Sequence, residues 1–592
     1  MMREMGEKRI VIFSDSASLI DPECSSAFRE LGHEIKIIRL VRNPQNPDIF
    51  LSFNLIDRIT EIVSFQPDMI FTINGIGLDN DGIIVRICNL LKISLVCWYV
   101  DKPFYLDQWT DDIVQPFTFF FLFDASYVEG VKQKGTDLAF PLPLATNPRS
   151  FQNVELNQDE ISRFSADVVF VGRSEIKKAK SYRQKVEKCL ALLGIEQKID
   201  LDKLVDLYLA DPTLQPVDIF STQILHLLCG KKATDPSLIA LFDNWMEHEA
   251  TVKHRKTYIE ALEGIDFKVC GEDAWLDIVS KENFIPEVSY FRDLKKIYHT
   301  AKININISRP QVKTALNQRL FDAPVSGGFL LTDYRKDLDR YFEVGKEIDC
   351  FNSPSELREK IEYYLLRPEL RGRMKEAARR RVMEEHTYKN RMQELINIVD
   401  RNKKKIDWMK WKKESSRDKQ YALVHNFMAA AFGKLGLWDH ALAHFQETLA
   451  IDENNYDAIH NCANILKNQI KADLNPEPRT PNPEPWDRVL MNIAYFSTKT
   501  NTNLVINQVI RLVKEIHDSG INIILYSFED DGEDYSVVHK FLYDNGISFH
   551  SITNQDQALR LREVHDLIKR DNINGSSLFH VGSLNSSLPP MR

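Results

Sequence analysis

Along the first 150 residues, short runs that are apolar at almost every position alternate with stretches whose apolar residues recur every three or four places. Lys8–Phe13 (KRIVIF), Glu34–Leu40 (EIKIIRL), Asp68–Ile73 (DMIFTI), Leu95–Val100 (LVCWYV), Thr118–Phe123 (TFFFLF) and Ala139–Leu142 (AFPL) read as strands. A helical pattern follows the first run as far as Gly32, and another occupies Ile56–Phe65. A strand apolar along its whole length is covered on both faces, as in a parallel sheet flanked by helices. Residues 1–150 are therefore expected to form a doubly wound α/β, Rossmann-like domain.

A second series opens at Ala166–Val171 (ADVVFV). A helical insertion is expected over about 176–250. Strands resume at Phe267–Val269, Lys302–Ile307 (KININI) and Gly328–Thr332 (GFLLT), with a helix over Thr314–Phe321 and helices on to about 400. Residues 151–400 thus read as a second Rossmann-like domain. Two such domains in tandem leave a cleft at the carboxyl ends of their sheets.

Beyond it, Arg401–Lys419 is basic and carries Trp408 and Trp411 on one helical face, which reads as a linker helix resting on a neighbour. Tyr421–Leu466 holds Leu435, Gly436, Trp438, Ala441 and Phe445 at tetratricopeptide spacing, giving a helix pair within 401–474. Five prolines in Asn475–Pro485 make 475–487 a stiff linker. A third α/β pattern fills 488–592, with strands at Val489–Tyr495, Ile521–Ser527, Ile547–Ile552 and Leu578–Gly582 and a helix at Asn503–Ser519. It is a partial Rossmann-like domain, half of a two-domain unit.

Charge narrows the partners. The formal net charge of −9 argues against a broad phosphate-backbone footprint, so nucleic acid is not an expected partner. The eight cysteines form no CxxC pair and several sit in apolar runs, the pattern of reduced core thiols in the cytoplasm. The N-terminus lacks a signal-peptide pattern, and the most apolar stretch, Phe117–Phe123, is too short to span a bilayer.

Tyr298–Arg391 carries the chemistry. In order, it contains Asn306 ending a strand, Arg319, Phe321-Asp322-Ala323, Gly327-Gly328, Leu331-Thr332-Asp333, Gly345-Lys346-Glu347 and His386-Thr387-Tyr388. This series, with Trp98–Pro103 and Phe170-Val171-Gly172, resembles the CgeB-like (spore-maturation type) glycosyltransferases over about residues 1–395. The resemblance implies the GT-B fold and transfer of a sugar from a nucleoside-diphosphate donor to an acceptor hydroxyl. It implies no cofactor other than the donor itself, and a protein (flagellin, for example) or a cell-surface glycan as acceptor. The last domain resembles the acceptor half of another glycosyltransferase.

The residues read independently agree. A diphosphate leaving group without a metal needs cations and backbone donors. Arg173, Arg309, Lys313 and Arg319 supply the first. Gly327 and Gly328 let N–H groups approach phosphates. Asp322 is placed to accept from ribose hydroxyls, and Asn306 joins the set through the family pattern. Asp15, Asp101 and Asp124 each follow a strand of the first domain. Asp101, then Asp15, are the candidates to take the acceptor's proton. Asp79-Asn80-Asp81 and Glu529-Asp530-Asp531 resemble a DxD metal motif but read as polar turns, and no histidine spacing suggests a metal site. The rival readings are a nucleotide-sugar epimerase of the same fold and a non-catalytic repeat-containing scaffold.

Overall fold

The computed structural model describes residues 6–15, 18–43, 46–51, 55–103, 111–152, 154–195, 199–211, 213–224, 227, 236–415, 419–452, 455–462 and 465, and beyond them the strands at 489–493, 523–528, 548–552 and 579–581. The chain divides into two compact units, Met1–Lys413 and Glu414–Arg592.

The first unit opens with β1 (Arg9–Asp15), β2 (Glu34–Asn43), β3 (Asn46–Leu51), β4 (Met69–Ile73), β5 (Ser94–Tyr99), β6 (Thr118–Leu122) and β7 (Ala139–Pro141). They form one sheet in the order β3-β2-β1-β4-β5-β6-β7. Every pairing is parallel except β2 with β3. All residues of β4, β5 and β6 are buried, so both faces are covered, as their unbroken apolar runs require. The antiparallel edge strand β3 was not legible in the pattern. Its Pro47 suits an edge, where a missing N–H breaks no ladder.

The second sheet contains β8 (Val168–Val171), β9 (Phe267–Gly271), β10 (Phe284–Pro286), β11 (Ile303–Asn306), β12 (Leu330–Asp333) and β13 (Asp349–Phe351). All are parallel, in the order β10-β9-β8-β11-β12-β13. Two doubly wound domains in tandem make this the GT-B architecture. Between β8 and β9 the chain runs through helices Ile176–Leu193, Leu201–Ala210, Pro216–Ile219 and Pro236–Glu260, an insertion into the sheet. The insertion has an apolar core of its own around Tyr208, Phe242 and Trp245.

The expected helix at Thr314 instead begins at Arg319 and runs to Val325. The segment before it is held by a contact between the domains. The amides of Lys313 and Thr314 donate to Asp124 Oδ2 at 2.8 and 3.2 Å, and the Thr314 hydroxyl donates to Asp124 Oδ1 at 2.8 Å.

Apolar groups of both domains merge into one cluster on the hinge side, from Trp98 and Phe121 to Phe321, Tyr388 and Met392. The His386-Thr387-Tyr388 series is the joint itself. Tyr388 N donates to Thr146 O, Thr146 N donates to His386 O, and Thr387 caps helix Tyr388–Lys403. That helix returns to lie on Asp21–Glu30 of the first domain. Trp408 continues the path, donating from Nε1 to Asn89 O at 3.0 Å beneath the Lys92 ammonium.

In the second unit, helices Gln420–Lys434 and Trp438–Ile451 pair over Ala429, Ala441 and Phe445. Strands β14 (Val489–Ile493), β15 (Ile523–Phe528), β16 (Ser548–Ile552) and β17 (Phe579–Val581) form a parallel sheet in the order β16-β15-β14-β17. The proline-rich linker and the Asn503–Ser519 helix lie outside the described residues. Of the seven described cysteines, five are buried. Among the described residues, no helix is long and apolar enough to cross a membrane.

Candidate functional site

In a doubly wound sheet the strand order reverses at one point, and the loops leaving the carboxyl ends there diverge to open a crevice. In the first sheet that point lies between β1 and β4; in the second it lies between β8 and β11. A cavity of about 410 Å³ occupies the junction. Its walls are Leu19 from the loop after β1, Gly172, Arg173 and Glu175 after β8, Gly271 ending β9, and Arg309 and Arg319 after β11. Glu287 and Tyr290 close one side, and Arg255 of the insertion helix Pro236–Glu260 forms the back.

Four arginines against two glutamates leave this wall cationic. Arg319 Nη1 donates to Asn306 Oδ1 at 3.0 Å, and its guanidinium lies 5.9 Å from the Phe170 ring centroid. A side chain at Gly172 would strike the Phe170 ring at 2.8 Å and Arg319 Nη2 at 3.1 Å, so glycine there keeps the arginine's path open. Arg255 is buried and donates to the carbonyls of Arg173 and Ile307, while its Nε–H has no partner. Burial, with Arg319 and Arg309 alongside, pulls its pKa down to about 9. Arg309 Nη2 meets His248 Nδ1 at 3.2 Å and Glu175 Oε1 at 3.9 Å, and its Nε–H is also without a partner. Arg173 is more exposed and pairs with Glu287 at 3.3 Å.

The loop after β8 is held in a set shape. Glu272 Oε1 accepts from Ser174 N and Oγ, both at 2.6 Å, and from Glu175 N at 3.1 Å. Glu175 adopts φ +66°, a left-handed conformation costly for a residue with a Cβ. Burial pushes its carboxyl pKa up, but His248 and Arg309 outweigh it and hold the group ionised, at about 2. Buried N–H donors without acceptors, on guanidinium groups crowded by like charge, are stabilised by an arriving anion.

Of the ten residues singled out from sequence, Arg173, Arg309 and Arg319 come together here. Asn306 is fully buried and acts one step back. It accepts from Arg319 and Asn317 and donates to Thr332 Oγ1 at 3.0 Å. Lys313 points elsewhere: its ammonium donates to Leu214 O at 2.7 Å and lies over the Tyr208 ring, and burial lowers its pKa to about 8. Asp322 is 1% exposed and accepts from the Tyr290 hydroxyl at 2.5 Å, so no ribose reaches it in this conformation.

The Gly327-Gly328 reading also needs correction. Their amides donate to Pro324 O and Ala323 O, both at 2.9 Å, and close the end of helix Arg319–Val325. Gly327 takes φ +80° to do so, and a Cβ on Gly328 would meet Tyr298 O at 2.6 Å. These glycines serve a helix end and a close backbone approach, with no N–H left for a phosphate.

On the facing domain, Asp15 is buried, its N–H donating to Asp21 Oδ2 at 3.0 Å. Asp101 is exposed and accepts from Asn74 Nδ2 at 2.9 Å. Neither lines the cavity. Asp124 is the interdomain clasp already described. Asp79 accepts from the amides of Ile83 and Ile84, capping a helix as a polar turn does. Among the described residues, no group of three or more His, Cys, Asp or Glu side chains is arranged to hold a metal.

Sequence reasoning missed Arg255, Glu175 and His248. One signal was available: Asp243, Glu247, Thr251 and Arg255 recur at four-residue intervals, a polar stripe on one helical face, and all four are buried.

Comparison with known proteins gives the following. A glycosyltransferase from Rickettsia africae aligns with 67% of this chain and 99% of its own at 12% identity and a TM-score of 0.40. Anabaena HepE in complex with UDP and glucose aligns with 67% of this chain and 100% of its own at 10% identity, TM-score 0.36. The sucrose-phosphate synthase of Thermosynechococcus elongatus aligns over 67% and 99% at 10% identity, TM-score 0.39. No curated protein matches the chain. Residues 254–397, which include Arg255, Arg309 and Arg319, match the family model described as glycosyl transferase-like.

Proposed function

We propose that the first unit transfers a sugar from a nucleoside-diphosphate sugar to an acceptor hydroxyl. The observation that carries this is the cavity beyond β8 and β11, lined by Arg173, Arg255, Arg309 and Arg319, two of which, Arg255 and Arg309, keep buried Nε–H groups without acceptors. A donor's diphosphate satisfies both. As the sugar leaves, the charge growing on the diphosphate is met by Arg255, Arg309 and Arg319, fixed beforehand by Asn306, His248 and the backbone. On this reading the arginines do the work a divalent ion does elsewhere. Asp101 is the favoured proton acceptor because it is the exposed carboxylate at the carboxyl edge of the first sheet, with Asp15 the alternative. The ordered motif series supports a CgeB-like type. The helix pair at 420–451, with its tetratricopeptide-like spacing, favours a protein acceptor such as flagellin over a glycan, handled in the cytoplasm.

The test is thermal melting of the full chain with UDP, GDP, dTDP or CMP. One diphosphate at a hundredfold excess over its Kd adds about 2.7 kcal/mol to the stability of the unit that binds it. R309A abolishes that shift. No shift with any of the four overturns the proposal. Donor turnover without an acceptor, in place of transfer, assigns the epimerase reaction.

A further inference from the structure

The insertion helix Pro236–Glu260 does more than cover the cavity. Its Asp243 and Glu247 accept from Lys102 Nζ of the first domain at 3.0 and 2.7 Å, and its Arg255 reaches the carbonyls of Arg173 and Ile307. Between these lies His248, 7% exposed, which does not itself line the cavity. Tyr182 of helix Ile176–Leu193 stacks on the imidazole, centroids 5.3 Å apart and planes 18° off parallel, and so fixes the ring.

One ring atom of His248 serves two partners with opposite demands. Nδ1 is 3.2 Å from Arg309 Nη2 and 3.2 Å from Glu175 Oε2. A guanidinium only donates and a carboxylate only accepts, whereas a ring nitrogen carries either a lone pair or a proton. Nδ1 therefore satisfies Arg309 or Glu175, never both at once. The charged groups around it are Glu175 and Arg309, with Lys178 of helix Ile176–Leu193 and Arg255 of its own helix acting on Glu175.

The geometry points to His248 as a positioning residue that holds Arg309 until donor binds, then releases it to the diphosphate while taking up a proton at Nδ1. This rests on the donor reading above. The hydrogen bond from Arg309 to Nδ1 breaks and one from Arg309 to a phosphate oxygen replaces it. A proton from solvent bonds to the freed Nδ1 and is donated to Glu175 Oε2. The site gains one positive charge as the donor brings its negative ones.

The experiment is calorimetric titration of the full chain near pH 7 with UDP-glucose, GDP-mannose and dTDP-glucose, in two buffers of different ionisation enthalpy. These esters carry no phosphate that titrates near neutrality, so buffer-dependent heat reports the protein's proton. Wild type is expected to take up a proton with whichever ester binds. H248N places an amide near Nδ1 that can still hold Arg309; it keeps affinity within about threefold but loses the proton uptake. H248A removes the hydrogen bond that the protonated Nδ1 makes to Glu175 in the bound state, and weakens binding about tenfold. Binding by wild type without proton uptake overturns the inference, as does uptake that persists in H248N. Binding by none of the three esters overturns the donor reading instead, which separates the two failures. If H248A does not fold, H248N alone decides, provided its melting temperature without ligand matches wild type.

Discussion

Two polar clusters sit at the carboxyl edge of the second sheet, and Arg319 belongs to both. Around β11 and β12, Asp333 Oδ1 accepts from Ser308 N and Oγ at 3.0 and 2.9 Å, Asp333 Oδ2 pairs with Arg335 at 2.8 Å, and Asn306 joins Thr332, Asn317 and Arg319. Around β8 and β9, Arg255 and Arg309 keep N–H groups that no protein atom accepts. The first cluster pairs Arg335 with Asp333 and holds loops, although Arg335 Nε also lacks an acceptor. The second sets four arginines against two glutamates along one cavity wall, with Arg255 buried. Residue type does not separate them, since both are built from Arg, Asn, Ser and acids; the number of cations that line an open cavity does.

Substitutions break this contrast in different ways. Arg319, shared by both clusters, gives the largest effect: R319A is expected to lower kcat/KM by about 10²–10³ in a transfer assay, the scale of losing one donor to a developing oxyanion. R255M replaces a buried cation by an apolar chain of similar length. It should weaken nucleotide-sugar binding about tenfold or more while leaving the melting temperature unchanged or higher, because a buried charge without a carboxylate partner costs stability. D333A does the reverse. It removes the acceptor for Ser308 and strands the half-buried Arg335, so urea unfolding should show a loss of about 2–3 kcal/mol, whether or not donor is present.

The smallest effect is one of pH. Burial pushes the Asp322 carboxyl up to about 7, against the pull of the Tyr290 hydroxyl. A pKa raised by folding means the stability this group contributes is present in acid and declines as pH rises from about 4 through about 7. D322N, which still accepts from Tyr290, should flatten that part of the melting-temperature profile.

The sheets were legible because buried parallel strands leave unbroken apolar runs, as in LVCWYV and TFFFLF. The insertion was legible from its helical periodicity. What escaped depended on partners distant in sequence. Asp124, 190 residues before Thr314, holds the segment that precedes helix Arg319–Val325. Gly327 and Gly328 looked like a phosphate floor because glycine permits close approach, but permission does not say what approaches; here it is the carbonyl of Tyr298. Three of the arginines were visible because they follow strands. Arg255 lay in MEHEATVKHRKTYIE, which reads as a solvated helix until the four-residue polar stripe is noticed, and His248 had no signal of its own.

The most direct measurement is a crystal structure of the full chain with its nucleotide-sugar or the corresponding diphosphate. The account predicts phosphate oxygens about 2.7–3.2 Å from Arg255 Nε and Arg309 Nε, with Arg319 alongside. Phosphates seated elsewhere, with those two N–H groups still lacking acceptors, would contradict it.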